Sequence, residues 1–275
     1  MNQNLHYLDG KWLAAEDLKI SAFDLAVMRG IGVFDTMRTF SRKPFALEEH
    51  FQRLQRSAEA VGMKVPIDSK SFSEVLEQGL SNNPDGELTI RTTVTGGVNE
   101  GLLSGQPSLI VMFLPLKLPP QEHYEKGIKL ATSRHFRIWP EAKSTSYLMA
   151  KLALMDIAET GAQDAIYLDR EGNVLETTIA NLFFVKGSEI ITAPADQILS
   201  GIVRGKVIDL ARKQGFRVSE RLIPLTEAPQ MDECFATGSL KGVMPVNQID
   251  EIKLKAPGNI TQEICALYRE ITQKA

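Results

Sequence analysis

Two lysines in the stretch EAKSTSYLMAKLALMD, which begins at residue 141, could carry chemistry. Lys143 lies in a short segment rich in serine and threonine, and Lys151 lies eight positions later inside an apolar helix pattern. A lysine at the start of a helix is usually a solvated cation, whereas a lysine that faces a pocket can act as a Schiff-base amine. The stem of Lys151 can pack along its helix while the ammonium reaches water, so we interpret Lys151 as structural. For Lys143 both interpretations stay open on the residues alone.

Two further charged residues, Glu176 and Arg53, lie in patterns where a charge is either solvated or bound to a partner. Glu176 stands in the apolar, strand-forming stretch LETTIANLFFV (175–185). A lone carboxylate there is either exposed at the end of a strand or has a buried cationic partner. Arg53 lies in the amphipathic pattern 47–63, where an arginine is either a solvated helix cation or a ligand.

Two loops that contain glycine complete the candidates. The stretch LSGIVRGKVIDLA (199–211) passes from a loop into a helix, and the free backbone N–H groups of a helix start can bind phosphate. The stretch FATGSLKGVMPV (235–246) contains a turn of small residues with a hydroxyl group and a lysine. Ordinary helices and turns also have such loops, so neither loop is specific by itself.

Taken together, these groups indicate one cofactor. A lysine amine, a carboxylate, a phosphate site and an arginine are what pyridoxal 5'-phosphate requires of a protein. The amine forms an imine with the cofactor aldehyde, and the carboxylate pairs with the protonated pyridine nitrogen. The helix start and the arginine hold the phosphate.

Composition is that of an ordinary globular protein. The 275 residues are 43% hydrophobic and 24% charged, and a formal net charge of −3 gives no reason to expect nucleic acid or an anionic membrane as partner. No apolar run approaches the roughly 18 residues that a membrane span needs, and the start lacks a signal-peptide pattern, so we expect a cytoplasmic protein. Cys234 and Cys265 are expected to be lone thiols, and the four scattered histidines predict no metal site.

The order of the elements predicts a mixed α+β chain in two parts. Hydrophobic spacing predicts a hairpin over 5–13 that turns at Asp9-Gly10, followed by helices and strands up to residue 117. The polar stretch KLPPQEHYEKG, with paired prolines, predicts a boundary. The expected domains are a small N-terminal domain (1–117), a linker (118–127) and a large cofactor-binding domain (128–275). Within them the predicted helices are 47–63, 69–83, 146–160, 203–214 and 260–272.

Several of these motifs occur in the order found in one enzyme family. They are RGIGVFDTMRTF (29–40), FALEEHFQRLQRSA (45–58), KSTSYL, LDREGNVLETTIANLFFVKGSEIITAP (168–194), LSGIVR and MDECFATGSLKGVMPV. By their order and spacing the chain resembles the class IV, fold-type IV pyridoxal-phosphate enzymes, which include branched-chain aminotransferases, D-amino-acid aminotransferases and aminodeoxychorismate lyases. The resemblance implies a small N-terminal α/β domain and a larger C-terminal barrel-like α/β domain. It also implies a homodimer in which residues 29–34 reach into the neighbour's site.

The resemblance assigns roles to residues of this chain. Lys143 becomes the Schiff-base lysine, Glu176 the partner of the pyridine nitrogen, and Tyr147 a contact of the phenolic oxygen. The phosphate contacts it implies are Arg53, Ile202, Val203, Ser239 and Leu240. Family members commonly carry threonine where Val203 stands, so one side-chain contact is lost here. The substrate contacts it implies are Arg29, Phe34, Arg91 and Lys241.

The substrate is less well defined by the sequence. Two arginines and a lysine near one pocket suit an amino acid and its 2-oxo acid, and a dicarboxylate such as glutamate in particular. Arg91 is followed by Thr-Thr, whereas branched-chain enzymes carry Pro-Leu there, and the late turn differs from their G-T-A-A pattern. The stretch TVTGGVNEGLL lacks the arginines common in the lyases. The Arg-x-His carboxylate trap of the better-known D-amino-acid enzymes is missing from the same stretch, but the chain is short, as in the D-amino-acid and lyase groups. We therefore favour a D-amino-acid aminotransferase with an altered carboxylate trap, acting on D-glutamate or D-alanine. The alternatives are a branched-chain L-amino-acid enzyme, a lyase that releases pyruvate and 4-aminobenzoate, or a non-catalytic homologue.

Overall fold

The computed structural model describes residues 4–99, 101 and 105–274, which form two compact units. The first unit contains the chain up to Lys117 together with Ala142–Ser146. The second contains Leu118–Glu141 and Tyr147–Lys274. The segment that carries Lys143 therefore belongs to the first unit, although it stands in the middle of the sequence. Residues 118–127, expected to be a linker, belong to the second unit and include a helix.

The first unit is built on a six-stranded antiparallel sheet with the strand order β2-β1-β6-β5-β3-β4. The strands are β1 (His6–Leu8), β2 (Lys11–Leu13), β3 (Gly32–Phe40), β4 (Lys43–Pro44), β5 (Leu88–Thr95) and β6 (Leu109–Pro115). The expected hairpin is confirmed, because β1 and β2 pair and the turn residues Asp9 and Gly10 adopt φ values of 46° and 88°. Two successive positive φ values suit the right-handed twist of a two-residue hairpin.

Three α-helices belong to this unit, namely α1 (Leu25–Arg29), α2 (Leu47–Ala60) and α3 (Ser69–Asn82), and a short 3-10 helix covers Ala15–Asp17. The helices expected at 47–63 and 69–83 are thus confirmed, with α2 ending three residues earlier. Phe51 of α2 and Phe72 of α3 stack with ring centroids 4.9 Å apart. Both rings are almost fully buried in a core cluster with Val33 and Met37 of β3. Burial of each such side chain stabilises the fold by roughly 1.5–3 kcal/mol, so this layer fixes α2 against the sheet.

The second unit contains a ten-stranded sheet that closes on itself. Its strands are β7 (Ile128–Ser133), β8 (Asp164–Leu168), β9 (Asn173–Thr177), β10 (Asn181–Lys186), β11 (Glu189–Thr192), β12 (Arg217–Glu220), β13 (Ile223–Pro224), β14 (Glu233–Gly238), β15 (Gly242–Ile249) and β16 (Ile252–Lys253). Neighbouring strands follow the order β12-β11-β10-β14-β15-β7-β8-β9-β13, and β16 pairs with β15. An additional pair between Glu176 of β9 and Asn181 of β10 closes six of these strands into a ring. The expected α+β class with a barrel-like C-terminal part is confirmed.

Four α-helices and a 3-10 helix complete the second unit. They are α4 (Gln121–Lys126), α5 (Leu148–Asp156), α6 (Ile202–Lys213), α7 (Asn259–Gln273) and the 3-10 helix Leu225–Gln230. The helix expected at 146–160 is shorter at both ends. Ser144 forms an isolated antiparallel bridge with Val33 of β3, so a helix cannot begin there. None of the helices in the described part of the chain combines the length and apolar character that crossing a membrane demands.

Candidate active site

The segment that carries Lys143 lies along the first half of β3 as an extra strand-like stretch. The amide of Phe34 donates to the carbonyl of Lys143 at 2.8 Å, and the amide of Thr145 donates to the carbonyl of Gly32 at 2.8 Å. The hydroxyl of Thr145 also contacts the carbonyl of Gly30 at 3.0 Å. Because β4 pairs only with the far end of β3, this edge is open to receive the segment. The backbone of Lys143 is therefore held by a strand of the core sheet.

The side chain of Lys143 lies over the ring of Phe34. Its ammonium nitrogen is 4.7 Å from the ring centroid, and the guanidinium carbon of Arg91 is 3.8 Å from the same centroid. Phe34 is only 4% exposed. The ring face attracts cations, and this attraction strengthens as water is excluded. Three residues that the sequence proposed for the site, Lys143, Phe34 and Arg91, are thus brought together in one unit.

Arg53 is buried, which excludes its interpretation as a solvated helix cation. Its Nε and Nη2 atoms donate to the two oxygens of Asp35 at 2.8 Å and 2.9 Å. His50 lies 2.6 Å from the same carboxylate through Nδ1, and a carboxylate can only accept, so Nδ1 carries the proton. Burial alone would raise the pKa of Asp35, but Arg53 and His50 hold that pKa well below its usual range. Sequence reasoning did not assign His50 a role, although it stands three positions before Arg53 in α2.

Arg29 is the last residue of α1 and is exposed. Gly30 follows it in the left-handed conformation (φ 69°), where most other residues are strained, and the chain turns there into β3. The guanidinium of Arg29 donates to the carbonyl of Met28 at 3.0 Å. This local contact does not tie Arg29 to the Phe34 ring.

In the second unit, Glu176 is 3% exposed and has a cationic partner. It is therefore a buried, paired carboxylate and not an exposed carboxylate at the end of a strand. The Nε atom of Arg137 lies 3.0 Å from Oε1 of Glu176. The side-chain amide of Asn181 donates to Oε2 at 3.1 Å, and the backbone N–H of Leu199 donates to Oε1 at 3.3 Å. A carboxylate oxygen can accept more than one hydrogen bond, so Oε2 can accept another donor besides Asn181.

Arg137 is a site residue that sequence reasoning missed. Burial works to lower its pKa, but the carboxylate of Glu176 and then the oxygen of Tyr147 outweigh burial, so the pKa of Arg137 is raised. Tyr167 lies in the same electrostatic environment, and burial of its phenol is the main reason that its pKa is raised to about 12. Tyr147, Arg137 and Glu176 thus form one polar cluster inside the second unit. The only sequence signal for Arg137 was an arginine in the polar stretch that precedes Trp139-Pro140.

The start of α6 presents backbone N–H groups. Ile202 and Val203 are its first two residues, and the N-cap residue is Gly201, which has no side chain to cap them. Gly201 precedes them, and a Cβ atom there would lie 2.0 Å from Oδ1 of Asn181, so only glycine lets the loop approach this closely. The same asparagine donates to the carbonyl of Leu199 at 2.8 Å. Asn181 therefore fixes both the loop before α6 and one oxygen of Glu176.

The turn between β14 and β15 contains Ser239, Leu240 and Lys241. The hydroxyl of Tyr124 donates to the carbonyl of Lys241 at 3.0 Å, which anchors the turn. Burial lowers the pKa of the Lys241 ammonium, and the carboxylate of Asp164 partly offsets this effect. Asp164 is thus close enough to favour the charged form of Lys241.

Lys151 and the stretch 93–103 are the last of the sequence features considered for the site. Lys151 is exposed inside α5, as expected for a structural residue. The stretch TVTGGVNEGLL, which distinguished the chain from the lyases, includes residues 100, 102 and 103, and these lie outside the described residues. No group of three or more metal-ligating side chains occurs in the part of the chain that the structure describes.

The chemistry of the donors fits pyridoxal 5'-phosphate. A buried carboxylate beside an arginine is a group that can pair with a pyridinium N–H, and a helix that starts after a glycine presents backbone N–H groups of the kind that bind phosphate. Lys143, whose backbone is fixed by β3, is the candidate amine. The donor types found in the two units are those that a protein uses to bind pyridoxal 5'-phosphate.

Comparison with known proteins assigns the family. Residues 32–249 match the model of the amino-transferase class IV family, and the chain belongs to this family. Enzymes of this family are pyridoxal-phosphate-dependent aminotransferases and related enzymes, and one solved relative, a T.th. branched-chain amino acid aminotransferase, contains pyridoxamine 5'-phosphate. That structure has a TM-score of 0.92 and 27% identity, covering 99% of this chain and 95% of the other.

Three further relatives show the range of the family. A Methanocaldococcus jannaschii protein named "Putative branched-chain-amino-acid aminotransferase" is 33% identical over 98% of this chain and 96% of its own length. The aminodeoxychorismate lyase of Bacillus subtilis is 27% identical over 96% of this chain and 93% of its own. The branched-chain aminotransferase of Thermoproteus uzoniensis, solved with norvaline, has a TM-score of 0.90 and 28% identity over 98% of this chain and 95% of the other.

Proposed function

We propose that this class IV aminotransferase transfers the amino group between a D-amino acid, such as D-glutamate or D-alanine, and a 2-oxo acid. The observation that carries the proposal is that the cationic groups of Arg91 and Lys143 both lie over the ring of Phe34. The guanidinium carbon of Arg91 and the ammonium of Lys143 lie 3.8 Å and 4.7 Å from the centroid of Phe34. A substrate carboxylate bound by Arg91 would bring the amine of the same small molecule close to Lys143.

Each site residue then has a chemical task. When bound, pyridoxal 5'-phosphate supplies the electron sink that lets negative charge develop at the substrate α-carbon. Lys143 moves a proton at that carbon as general acid and base. Glu176, oriented by Arg137, would accept a hydrogen bond from the pyridine N–H, and Tyr147 would contact the phenolic oxygen. The phosphate contacts we propose are Arg53, the backbone amides of Ile202 and Val203, and the turn residues Ser239 and Leu240.

The D configuration is supported by departures from the branched-chain pattern. Thr92 and Thr93 follow Arg91 where branched-chain enzymes carry Pro-Leu, and the turn at 238–241 reads Gly-Ser-Leu-Lys. Two observations favour the second candidate, an L-branched-chain aminotransferase. Several relatives bear that name, and Tyr147 matches the tyrosine of those enzymes. Aminodeoxychorismate lyase is kept as a third candidate because a lyase is among the relatives.

A half-reaction separates these candidates. The yellow holoenzyme is mixed in turn with D-glutamate, D-alanine, L-glutamate and L-leucine, and conversion of the cofactor to its amino form is followed by absorbance. Conversion by D-amino acids alone supports the proposal. Conversion by L-amino acids alone replaces it with the branched-chain function, and no conversion with colour retained directs the test to pyruvate release from aminodeoxychorismate. The variant Lys143→Ala is the control, because it should convert with none of them.

The cationic residues also suggest a dicarboxylate substrate. Arg29, Arg91 and Lys241 are the proposed contacts of carboxylate groups, since arginine binds carboxylates through paired hydrogen bonds. The variants Arg29→Ala and Arg91→Ala should raise KM for glutamate and 2-oxoglutarate much more than KM for alanine and pyruvate. Equal and small changes for both pairs of substrates would exclude this role.

A homodimer is part of the proposal. Large apolar side chains are exposed near α1, with Phe23 69% and Val27 56% exposed, and surfaces of this kind often mark protein interfaces. If residues 29–34 serve the neighbour's site, mixing and refolding Arg29→Ala and Lys143→Ala chains will restore activity above either variant alone. No restoration, with dimers present by light scattering, would exclude a shared site.

Two assignments made from the sequence stay with this proposal. We propose that the second unit is the cofactor-binding domain and the first the small domain. We also propose a cytoplasmic location, which is supported by the two unpaired thiols of Cys234 and Cys265.

A further inference from the structure

We propose that Ser57 is a positioning residue for Lys143. Its hydroxyl oxygen accepts the backbone N–H of Lys143 at 3.2 Å, from a helix 86 residues earlier in the chain. The functional part of this proposal rests on the proposed role of Lys143 as the cofactor-binding amine. The contact described for Ser57 is with the backbone N–H of Lys143, so Ser57 would act through the position of this lysine.

The hydrogen bond completes a clamp on the backbone of Lys143. On one side of its Cα atom, the N–H of Lys143 donates to Ser57 of α2. On the other side, its carbonyl accepts from the amide of Phe34 in β3 at 2.8 Å. Two different elements thus hold the two peptide groups that flank the Cα atom. The direction of the Cα–Cβ bond is then fixed, and the ammonium moves only through the side-chain torsions.

The acceptor is itself rigid. Ser57 is fully buried, at 0% exposure, on the third turn of α2. It lies four residues after Arg53 and seven after His50, so the three side chains share one helix face. Arg53 and His50 both bond to Asp35 of β3. The face that presents the Ser57 oxygen is therefore attached to the same strand that holds the carbonyl of Lys143.

Packing alone does not account for a serine at this position. Alanine has the higher helix propensity, and burying a hydroxyl group is unfavourable unless it forms a hydrogen bond. Serines inside helices commonly bond to a carbonyl one turn earlier. The hydrogen bond described for Ser57 instead crosses to the segment of Lys143. Ser57 thus has a contact that alanine cannot provide, and that contact ends on the proposed catalytic lysine.

A small displacement of this lysine would matter for the reaction. An error of about 1 Å in the position of a reacting group can lower a rate by roughly 10²-fold. Loss of a single backbone hydrogen bond displaces the group by less than that and only part of the time. We therefore expect a moderate effect on the covalent step. Phosphate binding should change little, because Arg53, the proposed phosphate ligand on the same helix, keeps its two bonds to Asp35.

The test compares Ser57→Ala with a matched control, Thr272→Val. Thr272 is buried at 4% exposure in α7, and its hydroxyl donates to the carbonyl of Arg269, so the control also removes one buried helix hydroxyl. The first measurement is amide hydrogen exchange at Lys143 in the cofactor-free protein, by mass spectrometry with fragmentation. Ser57→Ala should exchange about two- to tenfold faster at this amide, the range expected for one lost hydrogen bond, and Thr272→Val should not.

The second measurement is the rate at which the Lys143-bound cofactor absorbance appears when pyridoxal 5'-phosphate is added. Ser57→Ala should lower this rate by about tenfold with an unchanged half-saturating cofactor concentration, and kcat should fall with KM within twofold. Unchanged exchange at Lys143, or an unchanged rate of lysine attachment, would overturn the proposal, as would equal effects in both variants. Hydrogen exchange and attachment need no substrate, so they remain informative if the proposed D-amino-acid function fails.

Discussion

Replacing Arg137 by methionine tests whether Glu176 depends on a buried charge partner. The Nε atom of Arg137 lies 3.0 Å from Oε1 of Glu176, and the two side chains are 16% and 4% exposed. At that distance the attraction is about 5.5 kcal/mol with an effective dielectric constant of about 20. Desolvation of both charges opposes this attraction, so the net worth of the pair is far smaller. Removing one partner has a larger cost, because the buried carboxylate of Glu176 loses its cationic partner, while the N–H donors of Asn181 and Leu199 remain.

The expected loss of unfolding free energy for Arg137→Met is roughly 3–5 kcal/mol, as for other broken buried ion pairs. The control is Arg221→Met. Arg221 lies 2.6 Å from Glu227, which is closer, but these side chains are 39% and 22% exposed. Exposed pairs contribute about 0–1 kcal/mol because water screens them. Distance would rank the control pair as stronger, whereas burial ranks the Arg137 pair as stronger.

The assay is urea unfolding of the cofactor-free protein in a double-mutant cycle with Glu176→Gln. Arg137→Met also loses a hydrogen bond to the carbonyl of Thr178, and the cycle removes that common contribution. Once residue 176 is neutral, the arginine substitution should cost at least about 1.5 kcal/mol less than it does with the glutamate present. Equal losses for Arg137→Met and Arg221→Met, or an additive cycle, would refute the reasoning from burial.

Three further predictions concern the proposed catalytic groups and their support. Lys143→Ala should abolish turnover and the lysine-bound cofactor absorbance, whereas Lys151→Ala, an exposed residue of α5, should leave both unchanged. Glu176→Gln should lower kcat by about 10²–10³-fold, as for other losses of a charge-stabilising group, and a kcat near the wild-type value would contradict its role. The pKa of Asp35 is lower in the folded protein than its unfolded value of about 3.9, so the unfolded chain takes up the proton first as pH falls. Stability from Asp35 is thus present above about pH 4 and lost in acid, and Asp35→Asn should be less stable at neutral pH and lose less stability between about pH 4 and pH 2 in urea titrations. Parallel acid profiles would exclude this linkage.

Local patterns were sufficient for most elements of the first unit. The spacing of apolar residues located α2 and α3, and the Asp9-Gly10 pair located the first hairpin, because each signal is contained in a few consecutive residues. The segment 142–146 illustrates the limit of such reasoning. Its composition suits the approach to a helix, but Ser144 pairs instead with Val33 of β3, more than a hundred residues away in sequence. No local signal reports that pairing.

Glu176 shows in the same way that a local sequence does not report long-range contacts. The sequence contained the carboxylate and both explanations, but the choice depended on Arg137, 39 positions earlier. Arg137 lies in an irregular stretch without helical or strand periodicity, so its direction was not predictable. The closure of the β9 and β10 pair at Glu176 and Asn181 was equally invisible, since it depends on the order of strands in the ring. The sequence identifies the charged residues of the site, but which of them are buried and which pair with each other depends on the order of the strands.

Successive side chains of β3 point to opposite faces of the sheet, and the two faces have different roles in the proposed site. One face holds Arg53, and the other carries the ring next to Arg91 and Lys143. Phe34 and Asp35 are consecutive, so their side chains leave the strand on opposite faces. Asp35 shares the face of Val33 and Met37, which pack in the core beneath α2, and from there it holds Arg53. Phe34 faces the other way, towards Arg91 and Lys143.

The pairing of β3 with β5 sets this arrangement, because Phe34 lies opposite Thr93 and Asp35 opposite Thr92. A shift of one residue in β3 would exchange the two faces. It would put a carboxylate beside the lysine amine and a phenyl ring beside Arg53. The buried Asp35 opposes such a shift, since its charge would lose both Arg53 and His50. The ion pair of the helix face therefore also keeps the Phe34 ring, and the two cations on it, in the register that the proposed chemistry requires.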